Sequence, residues 1–127
     1  MKIIQTVEVR QRLTEKSKQQ LMQQFTAQKQ QLEQQCEQLI FEQKRMEKHT
    51  SFSQKQIKEK FGREMQIRRQ KIEELDFLLE QLRILPIGSE IKERDVEAII
   101  DVHIGARWSP PKTIVIEDGI VVDIREG

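Results

Sequence analysis

Tyrosine is absent from this chain of 127 residues, tryptophan occurs once, and aromatic residues make up only 5%. A chain so poor in large rings, with 34% charged residues, cannot build a thick globular core over its whole length. The single cysteine, Cys36, excludes an internal disulfide framework and suits a reducing compartment. No apolar run approaches the roughly 18 residues of a membrane span. The opening MKIIQTVEVRQR also lacks an apolar core of signal-peptide length, so a soluble protein that stays off the membrane, in the cytoplasm, is expected. The spacings CxxC, HExxH and GxSxG are missing, as is a glycine-rich phosphate loop. His49 and His103 lie in different segments, and neither is near Cys36. The expectation is a non-enzymatic protein with no metal, no other cofactor and no small-molecule substrate.

What is present is charge, unevenly placed. The formal net charge is +1. Residues 84–127 nevertheless carry nine acidic side chains against five basic ones. Between residues 44 and 71 the balance reverses. Ten cations (Lys44, Arg45, Lys48, Lys55, Lys58, Lys60, Arg63, Arg68, Arg69, Lys71) face only Glu47, Glu59 and Glu64.

Hydrophobic periodicity divides the chain into residues 1–13, 14–83 and 84–127. In KIIQTVEV, Ile3, Gln5, Val7 and Val9 alternate with Ile4, Thr6, Glu8 and Arg10, the period of a half-buried strand. From Thr14, a candidate N-cap, the period lengthens to three and four. The stripe runs Leu21, Phe25, Gln28, Leu32, Cys36, Leu39, Gln43, Met46, and resumes as Ile57, Phe61, Met65, Arg68, Ile72, Leu75, Leu79, Leu82. This narrow seam is that of a coiled coil. Pro86 and Gly88 stop it. Period two then returns, with Val96, Ala98, Ile100, Val102 and Ile104 on one side. Two β-branched runs follow, joined by Asp118-Gly119, the signal of a type I′ hairpin.

Whether the seam folds back or runs on depends on EKHTSFSQKQI, residues 47–57. With Ser53 as N-cap, Gln56 completes a capping box, while Phe52 and Ile57 occupy the two positions of a hydrophobic staple. A turn near 49–53 then pairs Met46 with Ile57, Leu39 with Met65, Leu32 with Ile72 and Phe25 with Leu79. Arg68 would oppose Cys36. Each arm would be ~45–50 Å long. The rival is one continuous helix in a parallel dimer, its seam passing through Thr50 and Ser53. The capping signals favour the turn, and a turn returns both chain ends to one place. The expected architecture is therefore α+β: a long antiparallel coiled-coil hairpin inserted into a small antiparallel β-sheet or barrel-like head made from both chain ends.

Each candidate site has a plainer reading. Cys36 is a small packed side chain of the seam. The glutamine-rich run QQLMQQFTAQKQQLEQQCEQ is a solvated helix face. The plainer reading of the ten cations is likewise a solvated helix surface. If the chain turns near residue 52, however, they gather at the end of the hairpin and form a phosphate-attracting surface. With few aromatics for stacking, structured RNA or a ribosomal particle suits that surface better than a single strand. Trp108, in GARWSPPK, either plugs the sheet or anchors a partner.

The opening MKIIQTVEVRQRLTE, the Gln/Lys/Glu-rich middle and the ending TIVIEDGIVVDIRE together resemble the YlqD family of small proteins from Bacillus-type bacteria. The resemblance spans essentially the whole chain and is most specific at its ends. It implies no catalytic or binding residue. It does imply a genomic setting among ribosomal proteins and RNA maturation factors. The leading expectation is a binding module for structured RNA or ribosomal particles. The alternative is a protein–protein adaptor or chaperone-like homo-oligomer, resembling prefoldin in outline, assembled through the β head or the coiled coil.

Overall fold

Six elements follow one another in the computed structural model, which describes residues 1–49, 53–108 and 112–126. They are β1 (Lys2–Arg12), α1 (Glu15–His49), α2 (Gln54–Ile84), β2 (Glu90–Asp101), β3 (Lys112–Glu117) and β4 (Ile120–Glu126). Two compact units divide them: Met1–Gln19 with Leu85–Gly127, and Gln20–Ile84. The fold is α+β, a helical hairpin inserted in sequence between the two halves of a sheet-forming unit.

The sheet has the order β2-β1-β3-β4. β2 runs antiparallel to β1, and β4 antiparallel to β3. The expectation of a wholly antiparallel sheet requires one correction, because β1 and β3 pair in parallel, Glu8 to Gln11 against Thr113 to Ile116. Both chain ends supply strands, and their directions are set by where the chain enters the sheet rather than by any local signal. The sheet is not closed by a ladder, since β2 and β4 remain its edges. It coils strongly all the same. Arg125 on β4 donates two bonds to the Glu90 carboxylate on β2, at 2.6 and 2.5 Å. In a flat sheet three steps of ~4.8 Å would hold these strands about 14 Å apart. The register would add another ~13 Å along the strands. No arginine–glutamate pair spans that diagonal, so coiling brings the two edges within side-chain reach.

Local signals place the rest of this unit. Val7, Val9, Leu13 and Val115 are buried. Thr14 is the N-cap of α1: its hydroxyl accepts from the Ser17 N–H at 3.1 Å, and Ser17 Oγ accepts from the Thr14 N–H at 2.9 Å. This is a reciprocal cap with serine in the place usual for Glu or Gln. Asp118 (φ 48°) and Gly119 (φ 81°) close the β3–β4 hairpin with the two positive φ angles of a type I′ turn. The Thr14 hydroxyl donates to Asp118 Oδ1 at 2.8 Å, linking helix cap to turn. After α2, Ser89 N–H donates to the Pro86 carbonyl at 3.1 Å across Gly88, whose φ of 93° suits glycine. The carbonyl of Leu85 accepts from Lys18 Nζ at 2.7 Å. The alternation of β2 continues in burial to Val102, one residue past the strand, whereas Ile104 is fully exposed.

In the helical unit, α1 ends at His49 and α2 begins at Gln54. Lys29 on α1 meets Asp76 on α2 at 2.6 Å, and Gln35 accepts from Arg68 Nε at 3.1 Å. Higher numbers on α1 match lower numbers on α2, so the helices are antiparallel and the chain folds back. The continuous helix is excluded. Both contacts agree, within a residue, with the register expected from pairing the seams. Arg68 meets Gln35, one residue from the Cys36 expected opposite it. Ile57, Phe61, Met65, Leu75 and Leu82 of the α2 stripe are buried. The α1 stripe is half-buried, with one departure: Gln28 is exposed and Lys29 turns inward instead.

Candidate nucleic-acid interface

The end of the hairpin is made by two helix termini. Ser53 caps α2, its Oγ accepting from the Gln56 N–H at 3.2 Å, as the capping box requires. The staple residue Phe52 lies outside the described residues. Ile57, its expected partner, is buried. Met46 on α1 and Ile57 on α2 line one depression at this end, and Phe61, one turn further along α2, is buried.

The structure separates the ten expected cations into two sets. Lys44, Arg45 and Lys48 lie in the last two turns of α1. Lys55, Lys58, Lys60 and Arg63 lie in the first three turns of α2. All seven are exposed. At 1.5 Å per residue they lie within ~14 Å of the helix ends along the axis. Only Glu47 and Glu59 fall among them in sequence, and Glu47 accepts from Gln43 Nε2 at 3.2 Å. The local excess is five positive charges, seven minus two. Among the described residues no carboxylate forms an ion pair with any of the seven. Lys60 Nζ lies 6.0 Å from the centre of its neighbour Phe61's ring.

The remaining three sit further along α2 and are differently engaged. Arg68 is half-buried, holds Glu64 at 2.7 Å and reaches Gln35 across the seam. Lys71 pairs with Glu74 at 3.5 Å. Arg69 is exposed without a carboxylate partner among the described residues. Arg68 therefore belongs to the packing of the hairpin, a role its charge alone did not reveal.

At 100° per residue the cations do not form one stripe. Lys44, Arg45 and Lys48 take the outward side of α1, Lys58 and Arg69 one flank of the buried stripe of α2, and Lys60 and Lys71 the other. Gly62 leaves an open depression of about 410 Å³ on α2, lined by Lys58, Glu59, Gly62, Arg63 and Gln66. A methyl at Gly62 would meet nothing within 4 Å. The residues beside this gap, Gln66 among them, carry no sequence motif, and only the exposed position of the glycine signals it.

Elsewhere, Cys36 is a free, half-buried thiol in the seam. Trp108 is 76% exposed, which removes the reading in which it plugs the sheet. Pro110 and Pro111, beside it in sequence, lie outside the described residues. Among the described residues no helix is long and apolar enough to cross a membrane.

Comparison with known proteins supplies kinship. The model of the family described as "YlqD protein" matches residues 1–125. The chain belongs to the YlqD family. It is 39% identical over 129 residues to "Uncharacterized protein YlqD" of Bacillus subtilis (strain 168), covering 99% of each protein. A crystal structure of a protein of unknown function from Synechococcus sp. WH 8102 superposes with a TM-score of 0.79 at 16% identity, covering 99% of this chain and 95% of that one. At that identity the likeness extends to the fold.

Proposed function

We propose that this member of the YlqD family is a non-enzymatic binding module that contacts structured RNA, free or within a ribosomal particle, through the end of its helical hairpin. One observation carries the reading: seven exposed cations around two helix ends, with a local excess of five positive charges and no ion-pair partner among the described residues. Such a surface gains affinity by releasing counterions from phosphates and reads no bases. An A-form duplex presents phosphates and 2′-hydroxyls in a wide, shallow groove, to which a blunt, two-helix end without stacking aromatics is suited. Cations on several sides of the helices favour contact with more than one phosphate strand.

The test is binding to duplex ribosomal RNA over a salt series. Affinity is expected to fall steeply with salt. Replacing Lys55, Lys58, Lys60 and Arg63 together by Gln should reduce the slope by about three to four. Absence of binding at low salt would sink the proposal.

A further inference from the structure

We propose that the flank of α2 centred on Gly62 lies across the minor groove of an A-form RNA duplex, with the gap at Gly62 seated on ribose 2′-hydroxyls. The inference rests on the RNA-binding reading above and adds to it what the surface selects, RNA over DNA.

Spacing along the helix defines the face. Lys55 and Lys58 precede Gly62 by seven and four residues, and Gln66 and Arg69 follow it by four and seven. Steps of four and seven return to one side of a helix, so all four lie within about 40° of the glycine. All five residues are exposed. Charge stands at both ends of this row and none in its middle. Among the described residues no carboxylate forms an ion pair with Lys55, Lys58 or Arg69. The helix rises ~16 Å from Lys58 to Arg69 and ~21 Å from Lys55.

The middle of the row is open. The depression of about 410 Å³ at Gly62 lies between Lys58 and Gln66, with Glu59 and Arg63 also lining it. Nothing within the hairpin requires a glycine here. A Cβ would meet no atom within 4 Å, and Gly62 lies inside α2 without the positive φ seen at Gly88, Gly105 and Gly119. Glycine weakens the helix, and its remaining use is to let a ligand approach the backbone closely. The groups around the gap select that ligand. The Glu59 carboxylate only accepts hydrogen bonds, and the Gln66 amide both donates and accepts. A phosphate, which offers only acceptor oxygens and negative charge, is repelled by Glu59. A ribose hydroxyl donates as well as accepts and suits both side chains.

An A-form duplex carries the complementary pattern. Its minor groove is wide and shallow and displays 2′-hydroxyls between two phosphate strands. Lys55 and Lys58 meet one strand, Arg69 the other, and the gap between them meets the hydroxyls. The minor groove of B-form DNA is only about 6 Å wide, too narrow for this spacing, and it lacks the hydroxyl.

The experiment titrates the full chain, by fluorescence anisotropy, into an RNA duplex, a DNA duplex of the same sequence and a 2′-O-methylated RNA duplex. The wild type should bind RNA roughly tenfold more tightly than DNA, the worth of one or two hydrogen bonds. G62L keeps every cation and fills the gap with a good helix former. It should bind RNA about as weakly as DNA, while its DNA affinity and its salt slope stay at wild-type values. Those two unchanged quantities also show that the variant is folded. The methylated duplex keeps its phosphates but can no longer donate from the 2′ position, so the wild type should bind it no better than G62L binds RNA. Equal affinity of the wild type for RNA and DNA, or an unchanged RNA affinity in G62L, would overturn the inference and leave phosphate binding by the hairpin end standing. Failure of all three duplexes to bind at low salt would remove that reading and this inference together.

Discussion

Arg125 and Glu90 lie 35 positions apart in the chain and on the two opposite edge strands of the sheet, yet their side chains meet in a two-fold hydrogen-bonded ion pair. The same guanidinium reaches Asp123 at 3.0 Å, and Arg12 approaches Glu90 at 3.6 Å. Strand partners share a face. Arg12 with Glu90, Arg10 with Val115 and Val115 with Asp123 are partners, so this charged group and the fully buried Val115 occupy one face of the coiled sheet.

Acid should loosen this tie. The hydrogen bonds from Arg125 hold the Glu90 carboxyl below the usual carboxylate range, with the nearby charges of Arg125 and Arg12 acting in the same direction. A carboxyl lowered on folding contributes stability that is complete above its unfolded value, near 4.5, and disappears as pH falls through the lowered folded value. Thermal unfolding of the wild type should therefore weaken below about pH 4.5. E90Q should unfold at lower temperature at neutral pH and show a shallower acid limb. Equal acid limbs in the two proteins would contradict this.

The Thr14 cap makes a second prediction. Its hydroxyl accepts from Ser17 N–H and donates to Asp118. T14A removes both bonds and should cost about 1 kcal/mol, within the range 0.5–2, in urea unfolding. T14S keeps the hydroxyl and should retain most of the stability. A T14S loss as large as that of T14A would show that the methyl, not the cap, matters.

Legibility in the sequence followed the range of the interactions. The seam was readable because every third or fourth residue must be apolar wherever two helices meet, and the Asp118–Gly119 turn because two residues alone determine it. Thr14 was readable as a cap, but its link to Asp118 was not, since nothing local ties residue 14 to residue 118. The parallel pairing of β1 with β3 was hidden for the same reason. In the candidate interface the charges were visible and their division was not. Arg68 looks like its neighbours until its reach across to Gln35 is seen. Lys29 displaces Gln28 from the seam because its long stem can lie along apolar surface while its ammonium reaches Asp76.

Gly62 should be replaceable to advantage. It lies within α2, where glycine is worth about 1 kcal/mol less than alanine, and the added methyl meets no atom within 4 Å. G62A is expected to stabilise the helical unit by about that amount, measured by denaturant midpoint. Unchanged stability would mean that the helix is already frayed at this position.

The seam predicts a sharp contrast between two leucines three residues apart. Leu75 is 1% exposed and Leu78 is 42% exposed. L75A leaves a cavity between the helices and should cost ~2–5 kcal/mol. L78A removes atoms that mostly face water and should change stability by about 0.5 kcal/mol or less. Similar losses in both variants would argue against the observed rotation of α2.

Arg68 and Arg69 allow packing and binding to be separated within one pair of neighbours. Arg68 is tied to Glu64 and Gln35, whereas Arg69 is exposed. R68Q should lower the stability of the helical unit by about 0.5–1.5 kcal/mol, the usual net worth of the hydrogen bonds it loses. R69Q should leave stability unchanged and reduce the salt slope of RNA binding by about one. Denaturation and a salt titration on the two single variants measure both quantities. A reversed outcome, with R69Q destabilising and R68Q flattening the slope, would move the binding surface onto the seam side of α2 and away from the helix ends. An R69Q slope equal to that of the wild type would confine the phosphate contacts to the seven cations around the connection.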